Sequence, residues 1–145
     1  MRKKPVNLTA LIYPDADSDW LVAHNPETGT TTQGKTFEEA LANLKEATEL
    51  YLSEFPLTTK GRSIMTTFEV SPWLMPELPV VSGKEARRAL ERLGFVFKRQ
   101  RGSQVILRRG NRGCVVPMHR EISRGTLRGI LDQAGVSVEE FIDAL

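Results

Sequence analysis

The chain has 145 residues, near the size of one ordinary domain and also long enough for two small ones. Formal net charge is only +2, but its sign is split: residues 1–77 carry seven Lys/Arg against eleven Asp/Glu (−4), and residues 78–145 carry thirteen against seven (+6). Cys114 is alone, so no intrachain disulfide can form; no apolar run nears the roughly 20 residues of a membrane span; and two histidines with one cysteine leave a zinc site short of ligands. Met1-Arg-Lys-Lys4 leads into no hydrophobic signal core. These features predict a soluble, cytoplasmic protein with no metal, cofactor or membrane partner, in which an acidic module is joined to a basic one.

In the acidic half, Leu8, Ala10 and Ile12 alternate within Val6 to Tyr13 and predict a strand with one firmly buried face. Pro14 to Asp19 supplies a turn, Trp20 to His24 a second strand, Asn25-Pro-Glu-Thr-Gly29 another turn, and Thr30 to Gln33 a third strand of an antiparallel meander. Thr36-Phe-Glu-Glu39 is a capping-box pattern that starts a helix. Its stripe is Phe37, Ala40, Leu41, Leu44, Ala47, Thr48 and Tyr51, which leaves Glu38, Lys45, Glu46 and Glu49 to water until Pro56 ends the helix. Arg62 to Val70 alternates and predicts a last strand. Nothing here is a catalytic constellation: His24 has no second acid or base nearby in sequence, and Asp15, Asp17 and Asp19 lack the glycine and distal glutamate of a calcium loop, so they are expected to form a solvated acidic turn.

Ser71-Pro-Trp-Leu-Met-Pro-Glu-Leu-Pro79 has three prolines in its nine residues and reads as a stiff linker. The basic half then opens on a second capping box, Ser82-Gly-Lys-Glu85, with Ala86, Ala89, Leu90 and Leu93 as the stripe of its helix and Gly94 as the stop. Phe95 to Arg101 is extended, with Phe95 and Phe97 facing one side. A Gly102-Ser103 corner turns the chain into a strand through Leu107 and Arg109, and Gly110-Asn-Arg-Gly113 turns it again into Cys114 to Met118. Cys114 itself reads as a small core residue. Ser123 caps a further helix that buries Leu127, Ile130, Leu131 and Ala134, and Ser137-Val-Glu-Glu140 caps a short last one. The whole is α+β: a βββα unit with a last strand, then an αβββα unit with a short extra helix, its sheet covered by helices on one face.

The densest chemistry lies in Lys98-Arg-Gln-Arg-Gly-Ser-Gln-Val-Ile-Leu107, where cations crowd a Gly-Ser corner. Guanidinium forks and exposed backbone N–H groups both match phosphate oxygens, so Lys98, Arg99, Arg101, Gly102 and Ser103 form a candidate phosphate cradle, with Gln104 aimed into it. Lys84, Arg87 and Arg88 on the first helix and Arg108, Arg109 and Arg112 near the hairpins extend the basic cluster, which favours RNA as the partner.

The strand ending Ile12-Tyr-Pro-Asp-Ala-Asp17, then Asp19-Trp-Leu-Val-Ala23, Thr32-Gln-Gly-Lys-Thr36 and Phe37-Glu-Glu-Ala-Leu-Ala-Asn-Leu44, resembles the HicB-type antitoxins. That resemblance implies a partial ribonuclease-H-like fold that sequesters a toxin and has no catalysis of its own. Many such proteins end in a DNA-binding segment; here the prolines follow instead, so operator DNA is not an expected partner.

Ser82-Gly-Lys-Glu-Ala86, Leu93-Gly-Phe95, Arg99-Gln-Arg-Gly-Ser103, Val116-Pro-Met-His119, Gly125-Thr-Leu-Arg-Gly-Ile-Leu131 and Gln133-Ala-Gly-Val-Ser-Val-Glu-Glu-Phe141 resemble the HicA-type toxins, small mRNA interferases with a double-stranded-RNA-binding-like fold. The resemblance implies a catalytic histidine in a Gly-Ser-His motif, and the matching residue here is Gln104. A glutamine amide neither removes a 2′-hydroxyl proton nor protonates a leaving oxygen near neutral pH, although it can hydrogen-bond a phosphate or base.

The expected organisation is thus an antitoxin domain at 1–70, a linker at 71–79 and a toxin domain at 80–145, docked in cis or exchanged between two copies. The expected function is masked RNA binding with impaired cleavage. Two alternatives stand beside it: a metal-independent ribonuclease in which His119 supplies the acid or base, and an oligomeric interaction protein with no RNA role.

Overall fold

A computed structural model describes residues 4–70 and 77–145. Residues 71–76, most of the predicted linker, lie outside the described residues. The architecture is α+β in two units, as predicted. The first holds β1 (Leu11–Pro14), β2 (Leu21–His24), β3 (Thr31–Gly34) and α1 (Phe37–Leu52); the second holds α2 (Gly83–Arg92), β4 (Val96–Arg101), β5 (Gln104–Arg109), β6 (Arg112–Pro117), α3 (Arg124–Ala134) and α4 (Val138–Ala144). Each unit has its own three-stranded antiparallel sheet, ordered β1-β2-β3 and β4-β5-β6.

Local chemistry sets the helix starts as the capping patterns predict. Thr36 accepts from the Glu39 N–H, Ser123 from Thr126, and complete capping boxes form at Ser82 with Glu85 and at Ser137 with Glu140. Gly135 stops α3 in the left-handed conformation, φ +71°.

The C-terminal unit has the larger core, with Leu90, Phe95, Val105, Leu107, Cys114, Val116, Ile122, Leu127 and Phe141 among its members. Leu78, from the end of the predicted linker, is buried in the same cluster. Cys114 lies wholly in this core, where burial pushes its thiol up to about 12 against a smaller opposing pull from Arg109. The N-terminal unit's own cluster is only Ala23, Ala40 and Leu44, with Ile12 and Leu21 packed at its edge.

Several expectations fail. Phe37 and Leu41, placed on the buried stripe of α1 by their spacing, are exposed, because the helix packs inward through Ala40, Leu44 and Ala47. The first strand is shorter than Val6 to Tyr13 and has no firmly buried face: Leu8 and Ile12 are half-buried and Ala10 is exposed, because β1 pairs only with the four residues of β2 and lies at the sheet edge. The last strand over Arg62 to Val70 does not form. Its alternation finds no ladder partner, and Ile64 and Phe68 stay 94% and 83% exposed. Phe97 does not share the burial of Phe95, since the register shifts between Phe97 and Arg99, and an Arg87 guanidinium lies 4.5 Å from its ring centroid instead. Finally, Glu46 and Glu49 are not simply left to water, for reasons given below.

Glu27 ties the segment after α1 to the sheet. Burial would push its carboxyl up, but hydrogen bonds from Ser63, the Thr9 N–H and Asn25 outweigh that and bring it down to about 2.

Candidate nucleic-acid interface

Arg101 and Gln104 are ladder partners, so Gly102 and Ser103 form a two-residue hairpin loop. Gly102 takes φ +56°, which suits the first position of such a loop and which a residue with a Cβ resists. Strand alternation then sets Gln104, Ile106 and Arg108 on one face of β5, and Val105 and Leu107 on the other, toward the C-terminal core. Cross-strand pairing adds Arg99 and Arg101 of β4 to the Gln104 face.

That face is covered by the N-terminal unit. Ala47, Leu50 and Phe55 pack with Ile106 and Val115 in a cluster spanning both units, and the Arg108 guanidinium lies 5.0 Å from the Phe55 ring centroid. The close fit depends on Gly113, where an added Cβ would come within 2.3 Å of the Phe55 ring. α1 and the turn after it aim an acidic edge at the hairpin: Glu54, just past the helix, binds Arg99, Glu49 lies 3.9 Å from Arg101, and the Glu46 carboxylate sits against Gly102. Glu46 and Glu49 therefore face cations rather than bulk water alone.

Gln104 does not point into an open cradle. It is wholly buried; its Nε2 donates to Ser103 Oγ at 3.1 Å, and its Oε1 accepts from Thr32 Oγ1 at 3.4 Å. Beside it Gln33, also wholly buried, reaches from β3 into the C-terminal unit. Its Nε2 lies 3.2 Å from His119 Nδ1 and donates to the Glu121 carbonyl at 2.8 Å, while its Oε1 accepts from the Ser123 N–H at 2.9 Å. His119 stacks on Trp20, with centroids 5.3 Å apart and planes 12° apart, and Lys35 Nζ lies 3.8 Å from the Trp20 ring centroid. Burial pushes the His119 pKa down, against a smaller upward pull from Glu39, so the ring is held neutral.

Further contacts extend the seam. Gln133 on α3 donates to the Thr28 carbonyl and Thr30 Oγ1 at 3.3 and 3.1 Å, and Gly129 on α3 leaves room for Thr31, since a Cβ there would lie 2.3 Å from its Oγ1. The acidic turn is not merely solvated: Asp15 accepts from the Gly125 N–H at 3.2 Å, and Asp17 lies 3.2 Å from Arg124. His24 is half-buried, with its Nδ1 2.7 Å from Thr31 Oγ1, and burial again lowers its pKa despite Asp132 and Glu27.

Of the sequence-predicted site residues, Arg99, Arg101, Gly102, Ser103, Gln104 and Arg108 gather on one hairpin, with His119 at the same seam. Lys84 and Lys98 are exposed and form no ion pair among the described residues. Lys84 follows Gly83, whose N–H donates to the His119 carbonyl at 2.8 Å, so the start of α2 is anchored at the end of this surface. Sequence reasoning missed Trp20, Thr32, Gln33, Arg124 and Gln133. No three His, Cys, Asp or Glu side chains among the described residues come together as a metal centre would need, and no described helix is long and apolar enough to cross a membrane.

Residues 83–136, which run from α2 through α3 and include both Gln104 and His119, match the model of the HicA toxin of bacterial toxin–antitoxin systems. A UPF0150 protein of Helicobacter pylori (strain J99) is 42% identical over 48 residues, covering 30% of this chain and 67% of that protein. The chain therefore belongs to the family of that UPF0150 protein, and within it residues 83–136 form a HicA-toxin-like domain with the fold of the RNA-interferase toxins.

Proposed function

We propose that the chain is a toxin–antitoxin fusion in which an acidic domain of the HicB antitoxin type, residues 1–70, masks a basic mRNA-binding domain, residues 80–145. The observation that carries this reading is the burial of Gln104: the residue at the family's catalytic histidine position has no solvent exposure and is covered by Thr32 of the acidic domain. Ile106 is buried from the same side, and Arg99 and Arg101 face carboxylates of the acidic domain there. A tether of this length makes the effective concentration of the masking domain roughly millimolar, whether docking is in cis or exchanged between two copies. Because an amide replaces the imidazole, unmasking yields RNA binding with little cleavage.

Full-length chains carrying Gln33→Ala, Gln104→His or both, compared with the parent, test each part of this reading. Gln33→Ala is expected to gain salt-dependent RNA binding, and only the double variant to cut RNA efficiently. Gly129→Ala, which places a Cβ against Thr31, opens the seam by a second route. Equal cleavage by Gln104→His and the double variant would refute masking. Cleavage by Gln33→Ala that disappears with His119→Ala would favour a ribonuclease acting through His119. No RNA binding by either opened chain would leave the interaction-protein reading.

A further inference from the structure

The groups that the N-terminal unit lays on the C-terminal unit are of two kinds. One is carboxylate: Glu54 on Arg99, Glu49 near Arg101 and Glu46 against Gly102 at the hairpin, Asp17 at 3.2 Å from Arg124 and Asp15 on the Gly125 N–H at the start of α3. The other is a flat aromatic, the Trp20 indole on the His119 ring. Gln33 bonds both His119 and the Ser123 N–H, so the stacked ring and the Arg124–Asp17 pair are neighbours. An anion beside a flat ring is the pairing that a nucleotide presents as phosphate and pendant base.

Ordinary interface chemistry could supply any one of these contacts. Their combination is harder to read that way, because Trp20 does not fill an apolar pocket. It is half-buried, belongs to no hydrophobic cluster among the described residues, and carries an imidazole and the Lys35 ammonium on its ring. The apolar cluster that spans the seam lies elsewhere, around Phe55 and Ile106. An imidazole ring offers a π-face that accepts any base without reading its edge.

The geometry points to His119 as a nucleobase platform: with the N-terminal unit withdrawn, an unpaired base of RNA stacks on His119 where Trp20 now lies, and a neighbouring phosphate is taken by Arg124 where Asp17 now lies. This rests on the reading of the domain as RNA-binding and narrows it. A continuous A-form duplex keeps its bases stacked on each other and offers grooves and backbone, so the RNA taken here has a single-stranded or splayed-out nucleotide at this point. His119 thereby acquires a role separate from the proton chemistry of the ribonuclease alternative, and Arg124 joins the binding surface.

The test uses the full chain with Gln33→Ala and Trp20→Ala, which opens the seam and vacates the platform, and a short labelled oligoadenylate RNA beside the same strand made with abasic riboses. Adding His119→Ala is expected to weaken binding of oligoadenylate by roughly five- to a hundredfold, the range that removal of one stacking partner costs, and to leave abasic binding unchanged. His119→Phe, which keeps a π-face and guards against a folding artefact, is expected to retain the affinity. Arg124→Ala should weaken both strands alike and reduce the salt dependence. A loss with His119→Ala that is equal for the abasic strand, or no loss at all, overturns the platform while RNA binding itself stands. Absence of RNA binding in this chain and in its Gly129→Ala counterpart overturns both.

Discussion

Gln33 and His119 meet across the seam between the two units: an amide buried to zero exposure lies 3.2 Å from the imidazole Nδ1 and continues to the Glu121 carbonyl and the Ser123 N–H. One side chain thus serves three polar groups, of which the Ser123 N–H is buried and the other two are partly buried. In Gln33→Ala those groups lose their partner together, and a buried polar group left unpaired costs about 1–3 kcal/mol. Docking should weaken by at least that order, seen as faster hydrogen exchange in β3 and at the start of α3, while the C-terminal core around Leu90 and Phe141 keeps its protection. Unchanged exchange at Ser123 would show that Gln33 is not the anchor.

Gly129 gives a cleaner separation of docking from folding. It lies inside α3, where alanine is favoured over glycine by about 1 kcal/mol, yet a Cβ would fall 2.6 Å from Thr31 Cβ. Rotating the Thr31 side chain cannot relieve a clash with its own Cβ. Gly129→Ala should therefore stabilise the helix while pushing the units apart, giving a larger radius of gyration in solution scattering at undiminished helix content. A compact particle would mean that β3 shifts and the seam adapts.

The pH dependence follows from His119. Its folded pKa lies below the ordinary 6.5 because burial disfavours the imidazolium, so the docked state binds a proton less readily than the unfolded chain. Its contribution is complete above about pH 6.5 and is lost as pH falls through and below that value. His24 is lowered for the same reason and acts in the same direction. Denaturation midpoints should fall on acidification below about pH 6.5, with His119→Phe removing part of the slope and leaving the His24 share. A midpoint that rises on acidification would contradict this assignment.

Much of the C-terminal unit was legible because local signals agree there. Three helix caps, the glycine stops and the two hairpin glycines each name their element, and helical spacing names the buried face of α2 and α3. The second covered face was also written in the chain, in the unbroken runs Val105-Ile-Leu107 and Cys114-Val-Val116, which mark strands buried on both sides. What covers that face was not legible. Thr31, Thr32 and Gln33 read only as part of a third strand, yet all are buried, because Thr32 and Gln33 find polar partners in the other unit, distant in sequence, and Thr31 packs against Gly129. The acidic aspect of α1 looked solvated for the same reason: helical periodicity shows which residues share a face, but not that a basic hairpin lies opposite. The alternation in Arg62 to Val70 misled because a strand also needs a neighbour to pair with.

The carboxylates Glu49 of α1 and Glu54 just after it should govern how the units find each other more than how firmly they hold. Arg99–Glu54 and Arg101–Glu49 are partly solvated pairs, with Arg99 and Arg101 side chains 49% and 54% exposed. Pairs of this kind contribute about 0.2–1 kcal/mol at most and weaken further with salt. Glu49→Gln with Glu54→Gln should thus lower the melting temperature only slightly. Complementary charge acts chiefly on encounter, so rapid dilution from denaturant should show slower docking of the variant at low ionic strength and convergence with the parent at high salt. If the variant instead loses docking outright at every salt concentration, the acidic edge of α1 holds the seam together and Gln33 is secondary.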